Sequence, residues 1–218
     1  MLRRTLVFGL CAAVLGSTIG CKKSATESGS SGNTTSAAAT EVVFGHFASM
    51  TGSTAHFGQD TDRGVRMAIE EANEKGGVLG KKIKLVTLDD RGDSAEAANA
   101  VSRLIDVEKV SAVLGEVSSS LSLAGGRVAQ RRKIPMISPT STNPKVTEVG
   151  DYIFRVCFID PFQGKVMATF ARQNLKLDKV AILKDVKNDY SIGLAAAFQK
   201  SFSELGGTIV AEQSYSQG

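Results

Sequence analysis

An α/β fold, a doubly wound parallel sheet with helices on both faces, is predicted by three features of this sequence. From Glu41 onward, short apolar strand-like runs alternate with helical stripes without a break. Their spacings suit right-handed crossovers between parallel strands. Hydroxyl-rich turns, at 115–120 and 139–144, follow two of the buried runs. In a parallel sheet both turns leave carboxyl ends of strands and lie side by side on the rim where such sheets take small ligands.

The run EVVFGHFA (41–48) is the first strand, followed by the turn 49–54 and by Phe57-Gly58. Val65, Ala68, Ile69 and Ala72 recur at helical spacing and predict a helix over 59–75. Gly76-Gly77 ends it, since glycine takes the left-handed cap without a Cβ clash. Residues 82–89 form the next strand, and Asp93 or Ser94 caps a helix with Ala97, Ala98, Val101, Leu104 and Ile105 as its buried stripe. Two short strands, 110–114 and 134–138, flank a helix that begins among Ser118, Ser119 and Ser120 and ends near Arg132. Residues 151–157 make a fifth strand, and Asp160-Pro161 starts a helix to Asn174. A strand at 179–184, a helix at 191–205 stopped by Gly206-Gly207, and a strand at 208–215 complete the series. The helix–Gly-Gly–strand phrase of 68–89 thus recurs at 194–215, as one structural unit used again in a second lobe. Two strands and two helices are too few for a whole lobe, so the chain is expected to stop inside it.

Composition narrows the possibilities. The 218 residues are 42% hydrophobic and 22% charged, which is ordinary for a globular α/β protein. The net charge of +4 is slight, its basic residues are scattered among acids, and no aromatics interleave them, so nucleic acid is not an expected partner. The start is read as a targeting segment: the basic head Met1-Leu2-Arg3-Arg4, then an apolar run from Thr5 to Ile19 too short to span a bilayer comfortably. Gly20-Cys21 behind it resembles a bacterial lipoprotein signal, with Cys21 carrying the lipid, although Thr18 stands where that signal usually has leucine. An ordinary secretory signal cut elsewhere is the alternative, and both readings export the protein. Residues 21–40 are Ser, Thr, Gly and Ala with almost nothing large and apolar, a flexible tether. Cys11 would leave with the signal, so Cys157 stands alone and reads as a buried small hydrophobe.

The hydroxyls carry the chemistry. Ser118, Ser119 and Ser120 stand where a helix begins, with its first N–H groups unpaired and its dipole positive, and a small carboxylate suits that place. Ser118 alone reads as a cap. All three face Thr140-Ser141-Thr142 on the next turn, which favours a ligand. His56 could approach the same rim, but no serine sits in a Gly-x-Ser-x-Gly elbow, so catalysis is not expected. Asp89, Asp90 and Asp93 read as a solvated strand exit plus a helix cap rather than a cation site. No phosphate-binding glycine loop follows a strand, so no nucleotide cofactor is expected, nor any other. Tyr190, in the loop after a second-lobe strand, would face the serine rim across a cleft.

Several phrases in order resemble the type I periplasmic binding proteins of the branched-chain amino-acid class. They are Phe57-Gly58, the join from Ala72 to Lys81, Asp89-Asp90, Gly115…Ser118-Ser119-Ser120, Pro135…Ser138-Pro139…Thr142, Phe154-Arg155…Asp160…Gln163-Gly164, and Asp189-Tyr190…Gly193. The resemblance covers nearly all of 41–218 and implies a two-lobed fold, with a first lobe at 41–157 and a partial second lobe at 158–218. It also implies capture of an amino acid for the permease of an ABC importer. Ser119 and Thr142 would hold the ligand's carboxylate, helped by the N–H of Ser141 or Thr142, and the Thr140 carbonyl would take the ammonium. Phe57 would shelter the side chain, Tyr190 would close from the second lobe, and Asp160 is a weaker hinge contact. The family's acidic partner for the ammonium lies beyond Gly218, and the disulfide some members carry is missing. Which amino acid is bound stays open, and a sensory domain of the same fold or a secreted hydrolase are the competing readings.

Overall fold

The computed structural model describes residues 41–216; the signal and tether readings for 1–40, with Cys11 and Cys21, lie outside them. Five parallel strands form the first sheet: β1 (Glu41–Ala48), β2 (Lys82–Asp89), β3 (Ala112–Leu114), β4 (Met136–Ser138) and β5 (Ile153–Arg155). Their order is β2-β1-β3-β4-β5. The chain therefore reverses direction across the sheet between β1 and β3, and a crevice opens at the carboxyl ends of those strands.

Burial on both faces shapes β1, whose last four residues, Gly45 to Ala48, are all buried. Such a strand reads as a continuous apolar run instead of alternating. On one face lies α1 (Ala55–Glu74), where Asp62 Oδ1 stands 3.1 Å from Nδ1 of buried His46. On the other lie α2 (Ser94–Asp106) and α3 (Ser119–Arg132). There Phe47, Val101, Leu104, Val113 and Met136 are fully buried in the main core. Burying side chains of this size contributes roughly 1.5–3 kcal/mol each. Asp93 caps α2 by accepting the N–H groups of Ala95 and Glu96. The expected stripe on α2 lies in this core, with Ala98 at its edge.

The strands β3, β4 and β5 are three residues each, shorter than their apolar runs. Backbone bonds continue past their ends, from Ser111 N–H to Val43 O and from Val156 N–H to Ser138 O. A four-residue helix the sequence did not signal, α4 (Lys145–Glu148), follows Pro144. The helix from Asp160 changes character: α5 (Asp160–Thr169) gives way to a π-helical turn over Phe170–Asn174. A second parallel sheet pairs β6 (Lys179–Asp185) with β7 (Thr208–Tyr215). Between them runs α6 (Asp189–Glu204), packed on α5 over a small core of Ala168, Ala171 and Phe202. No helix among the described residues is long and apolar enough to cross a membrane.

The first turn of α1 differs from expectation: the helix begins at Ala55 and takes in His56, Phe57 and Gly58. Gly58 is not a helix breaker here. A Cβ on it would stand 2.1 Å from the Ser49 carbonyl oxygen, so only glycine lets the helix sit against the end of β1. Because the obstructing atom is backbone, Gly58→Ala is expected to destabilise the fold by about 1–3 kcal/mol. Urea unfolding of the variant against wild type measures this.

Candidate functional site

Three strand exits build the first wall of a cleft of about 530 Å³. That volume lies within the range of small-molecule sites. From β1 comes the segment starting at Ser49, tied down by Asp89, whose carboxylate accepts the N–H groups of Met50 (2.9 Å) and Thr51 (3.3 Å) and the Thr51 hydroxyl (2.6 Å). Burial pushes Asp89 upward, but these bonds and the Arg91 N–H outweigh it and hold its carboxyl below the usual range.

From β3 comes Gly115, in a left-handed conformation (φ 123°), where a Cβ would stand 2.2 Å from the Phe47 carbonyl oxygen. Glu116 follows, 1% exposed. Its carbonyl lies 2.9 Å from the Ser122 hydroxyl, 2.8 Å from that of Ser138 and 2.9 Å from that of Ser141. Ser118 occupies the N-cap position of α3, yet its side chain makes no capping bond, contrary to expectation. Its N–H is instead bound by the Glu116 carboxylate.

From β4 comes the segment 139–144. Asn143 donates its N–H to Ser119 Oγ at 3.2 Å, which sets the β4 exit against the start of α3. A hydroxyl that accepts this bond keeps its own hydrogen for a ligand. Thr142 is 7% exposed, and its Oγ1 is buried with no partner among the described residues. Across the cleft, the second lobe supplies Gln163, Asn188 and Tyr190. Tyr190 lies in the first turn of α6, not in a loop, and its hydroxyl accepts from Gln163 Nε2 at 3.2 Å. Ser120 Oγ donates to Asp189 Oδ2 and accepts the Asp189 N–H, both at 2.9 Å, so the two lobes meet directly.

Five of the residues expected at the site, Ser119, Thr140, Thr142, Phe57 and Tyr190, line this one cleft. Two do not. Ser141 is fully buried, its hydroxyl 2.7 Å from that of Ser122, and its N–H is committed to Ser138 Oγ at 3.0 Å. That leaves the Thr142 N–H as the backbone donor of this turn. Asp160 is 1% exposed and lies beside Gly193 and Pro144 in a separate groove. Its N–H binds the Thr142 carbonyl at 2.9 Å, and burial pushes its carboxyl up. His56 lines the cleft, its ring tilted 38° to that of Phe57 with centroids 4.0 Å apart, but no hydrogen bond joins it to Ser119 among the described residues. Cys157 is half-buried rather than buried, with Sγ 3.5 Å from the Ser141 carbonyl.

Glu116 and Asp90 escaped the sequence reading. Asp90 is fully buried, not solvated, and burial pushes its carboxyl up. Burial and the neighbouring Asp90 push Glu116 up to about 7, against the donors from Ser118 and Ser49. The one available signal was an acid placed directly at the end of a buried strand.

With this geometry in view, comparison with known proteins is decisive. A sequence profile described as periplasmic binding protein matches residues 41–218. The chain belongs to the periplasmic binding protein family. Its two-sheet architecture is similar to that of the leucine-binding protein LivK of Thermotoga maritima. Identity is 45% and the TM-score 0.77, over 81% of this chain and 49% of that one. The substrate-binding protein LivJ of Streptococcus pneumoniae, solved with isoleucine, is 34% identical with a TM-score of 0.76, over 82% of this chain and 50% of that one. An amino acid binding protein of Pseudomonas aeruginosa is 40% identical over 167 residues, 76% of this chain and 44% of the relative. This periplasmic binding protein chain thus spans about half the length of the relatives it matches.

The raised Glu116 value makes stability depend on pH. The folded protein keeps a proton that the unfolded chain releases at the ordinary value of 4.5, until about 7. Glu116's contribution to stability is therefore largest below that interval, falls as pH rises through it, and is level above it. Urea unfolding across the interval is expected to show this fall, and Glu116→Gln to remove Glu116's share of the slope.

Proposed function

We propose that this periplasmic binding protein captures a branched-chain or related amino acid and delivers it to the permease of an ABC importer. The observation that carries the reading is the junction of Ser119 and Thr142 through the Asn143 N–H, at the start of α3. Two hydroxyls, the Thr142 N–H and the free N–H groups of a helix start converge there on the place for one carboxylate. The Thr140 carbonyl serves the ammonium, Phe57 shelters the side chain, and Tyr190 closes from the second lobe. LivJ, similar over most of this chain, was solved with isoleucine, which supports the ligand class.

Magnitudes agree with a shared site. Micromolar capture needs about 8 kcal/mol. A charge-assisted hydrogen bond contributes roughly 1.5–3 kcal/mol, so the first lobe's hydroxyls hold a ligand without completing the affinity. Closure supplies the rest by excluding water around the charges.

Periplasmic binding proteins are exported, as the family's description implies. For this chain the finer arrangement is a signal over 1–20, a lipid on Cys21, a tether over 21–40, a first lobe over 41–157 and a second-lobe portion over 158–218. The basic head, the short apolar run and Gly20-Cys21 support the anchor. Cys21→Ser is expected to move the protein from the membrane fraction to the soluble one; retention on membranes would remove the anchor.

For the ligand, calorimetry of the intact protein with L-leucine, L-isoleucine and L-valine is the direct test. Ser119→Ala with Thr142→Ala is expected to weaken binding at least about tenfold, a loss of about 1.4 kcal/mol. Unchanged affinity would remove the site assignment, and turnover of an ester or amide would favour a hydrolase instead.

A further inference from the structure

Ser49 and Glu116 line the cleft with buried Asp90 behind them, two carboxyls and one hydroxyl whose bonds cannot all form in the fully ionised state. Ser49 Oγ lies 2.9 Å from Asp90 Oδ1 and 3.2 Å from Glu116 Oε1. A serine hydroxyl has a single hydrogen to give. Whichever carboxylate receives it, the other faces an oxygen lone pair unless it carries a proton of its own. Asp90 Oδ2 adds to the imbalance, being buried with no hydrogen-bond partner among the described residues. An ionised oxygen in that position is expensive.

The surroundings supply no offsetting charge. The charged groups acting on the pair are acidic: Asp90 on Glu116, and Asp89 and Asp93 on Asp90. Among titratable groups of the packed elements, α1 brings His56 and α6 brings Tyr190 to the cleft, while α3 presents serines. Arg91, next to Asp90 in the chain, is exposed.

We propose that Glu116 is a positioning residue of the ligand cleft, joined through Ser49 to Asp90 by one shared proton. The proton belongs to the pair, as in any two acids coupled this closely. Glu116 draws together two strand exits, accepting the Ser49 N–H at 3.1 Å on one oxygen and the Ser118 N–H on the other. Ser49's carbonyl also abuts Gly58, so the same seam sets where α1 begins and where it carries Phe57. Loss of the proton leaves two adjoining carboxylates repelling across one hydroxyl. The seam between the β1 exit and the α3 start loosens, and a new negative charge faces an arriving carboxylate.

The ligand arm of the test rests on the amino-acid reading; the proton arm does not. Side-chain carboxyl NMR of the intact protein is expected to show one step near neutral pH. Amide resonances of Ser118, Ser119 and Phe57 move with the same midpoint. Glu116→Gln abolishes the step and Asp90→Asn moves it to lower pH, so a folding failure in one variant leaves the other to decide. L-leucine affinity weakens about threefold from about pH 6 to about pH 8, and this dependence disappears in Glu116→Gln. Two acids ionising below about pH 5, a step that survives Glu116→Gln, or amides indifferent to it would overturn the proposal. Affinity for L-leucine that ignores pH would overturn it too. Absence of L-leucine binding at every pH, with the step and amide shifts intact, would reject the amino-acid reading and leave the shared proton supported.

Discussion

Hydroxyls from Ser122, Ser138 and Ser141 converge on the Glu116 carbonyl, and the cleft depends on that convergence. The ladder between β3 and β4 has only two register pairs, Val113 with Met136 and Leu114 with Ile137. So short a ladder cannot by itself fix where the two chains go after it ends. Side-chain hydroxyls continue the pairing beyond the strands, pinning one exit to the other at bonding distance. Ser119 and Thr142 arrive at one place because the backbone beneath them is held. Ser141, sequence neighbour to both ligand candidates on its turn, is consumed in holding it.

The second lobe is attached by the same kind of chemistry. The starts of α3 and α6 approach each other, both with positive dipole ends, and Asp189 stands between them with its carboxylate on Ser120. Asn143 adds a bond from its side chain to the Asp189 carbonyl at 2.7 Å. Gly193 allows close approach behind them, since a Cβ there would lie 2.8 Å from both Asn143 Nδ2 and Asp160 Oδ2. Polar contacts of this kind exchange readily with water, unlike an apolar seam.

The buried acids differ in how their charge is met. Asp62, Asp90, Glu116 and Asp160 are all buried. Asp62 is matched by Arg66, Thr87 and His46, which hold it below its usual range although burial pushes it up. The other three lack a cation of that kind at hydrogen-bond distance and are pushed up instead. Functional sites are where such uncompensated groups are tolerated.

Local chemistry alone determined a good deal about this protein. Periodicity placed the helices and strands, Asp93 or Ser94 marked the α2 cap, the glycine pairs marked helix ends, and alternation required a parallel sheet. Two hydroxyl turns marked the strand exits that line the cleft, because turn composition and strand order act over a few residues. Strand lengths were overread, since an apolar run records burial and not pairing. Tertiary structure alone decided which hydroxyls reach the cleft. The bond from Asn143 to Ser119 spans 24 positions, and that from Ser49 to Glu116 spans 67. Only such long-range partners withdraw Ser141, bury Asp90 and Asp160, and make Gly58 a contact surface within a helix. A side chain in an irregular turn takes its direction from whatever packs against it, and that neighbour is written far away in the chain.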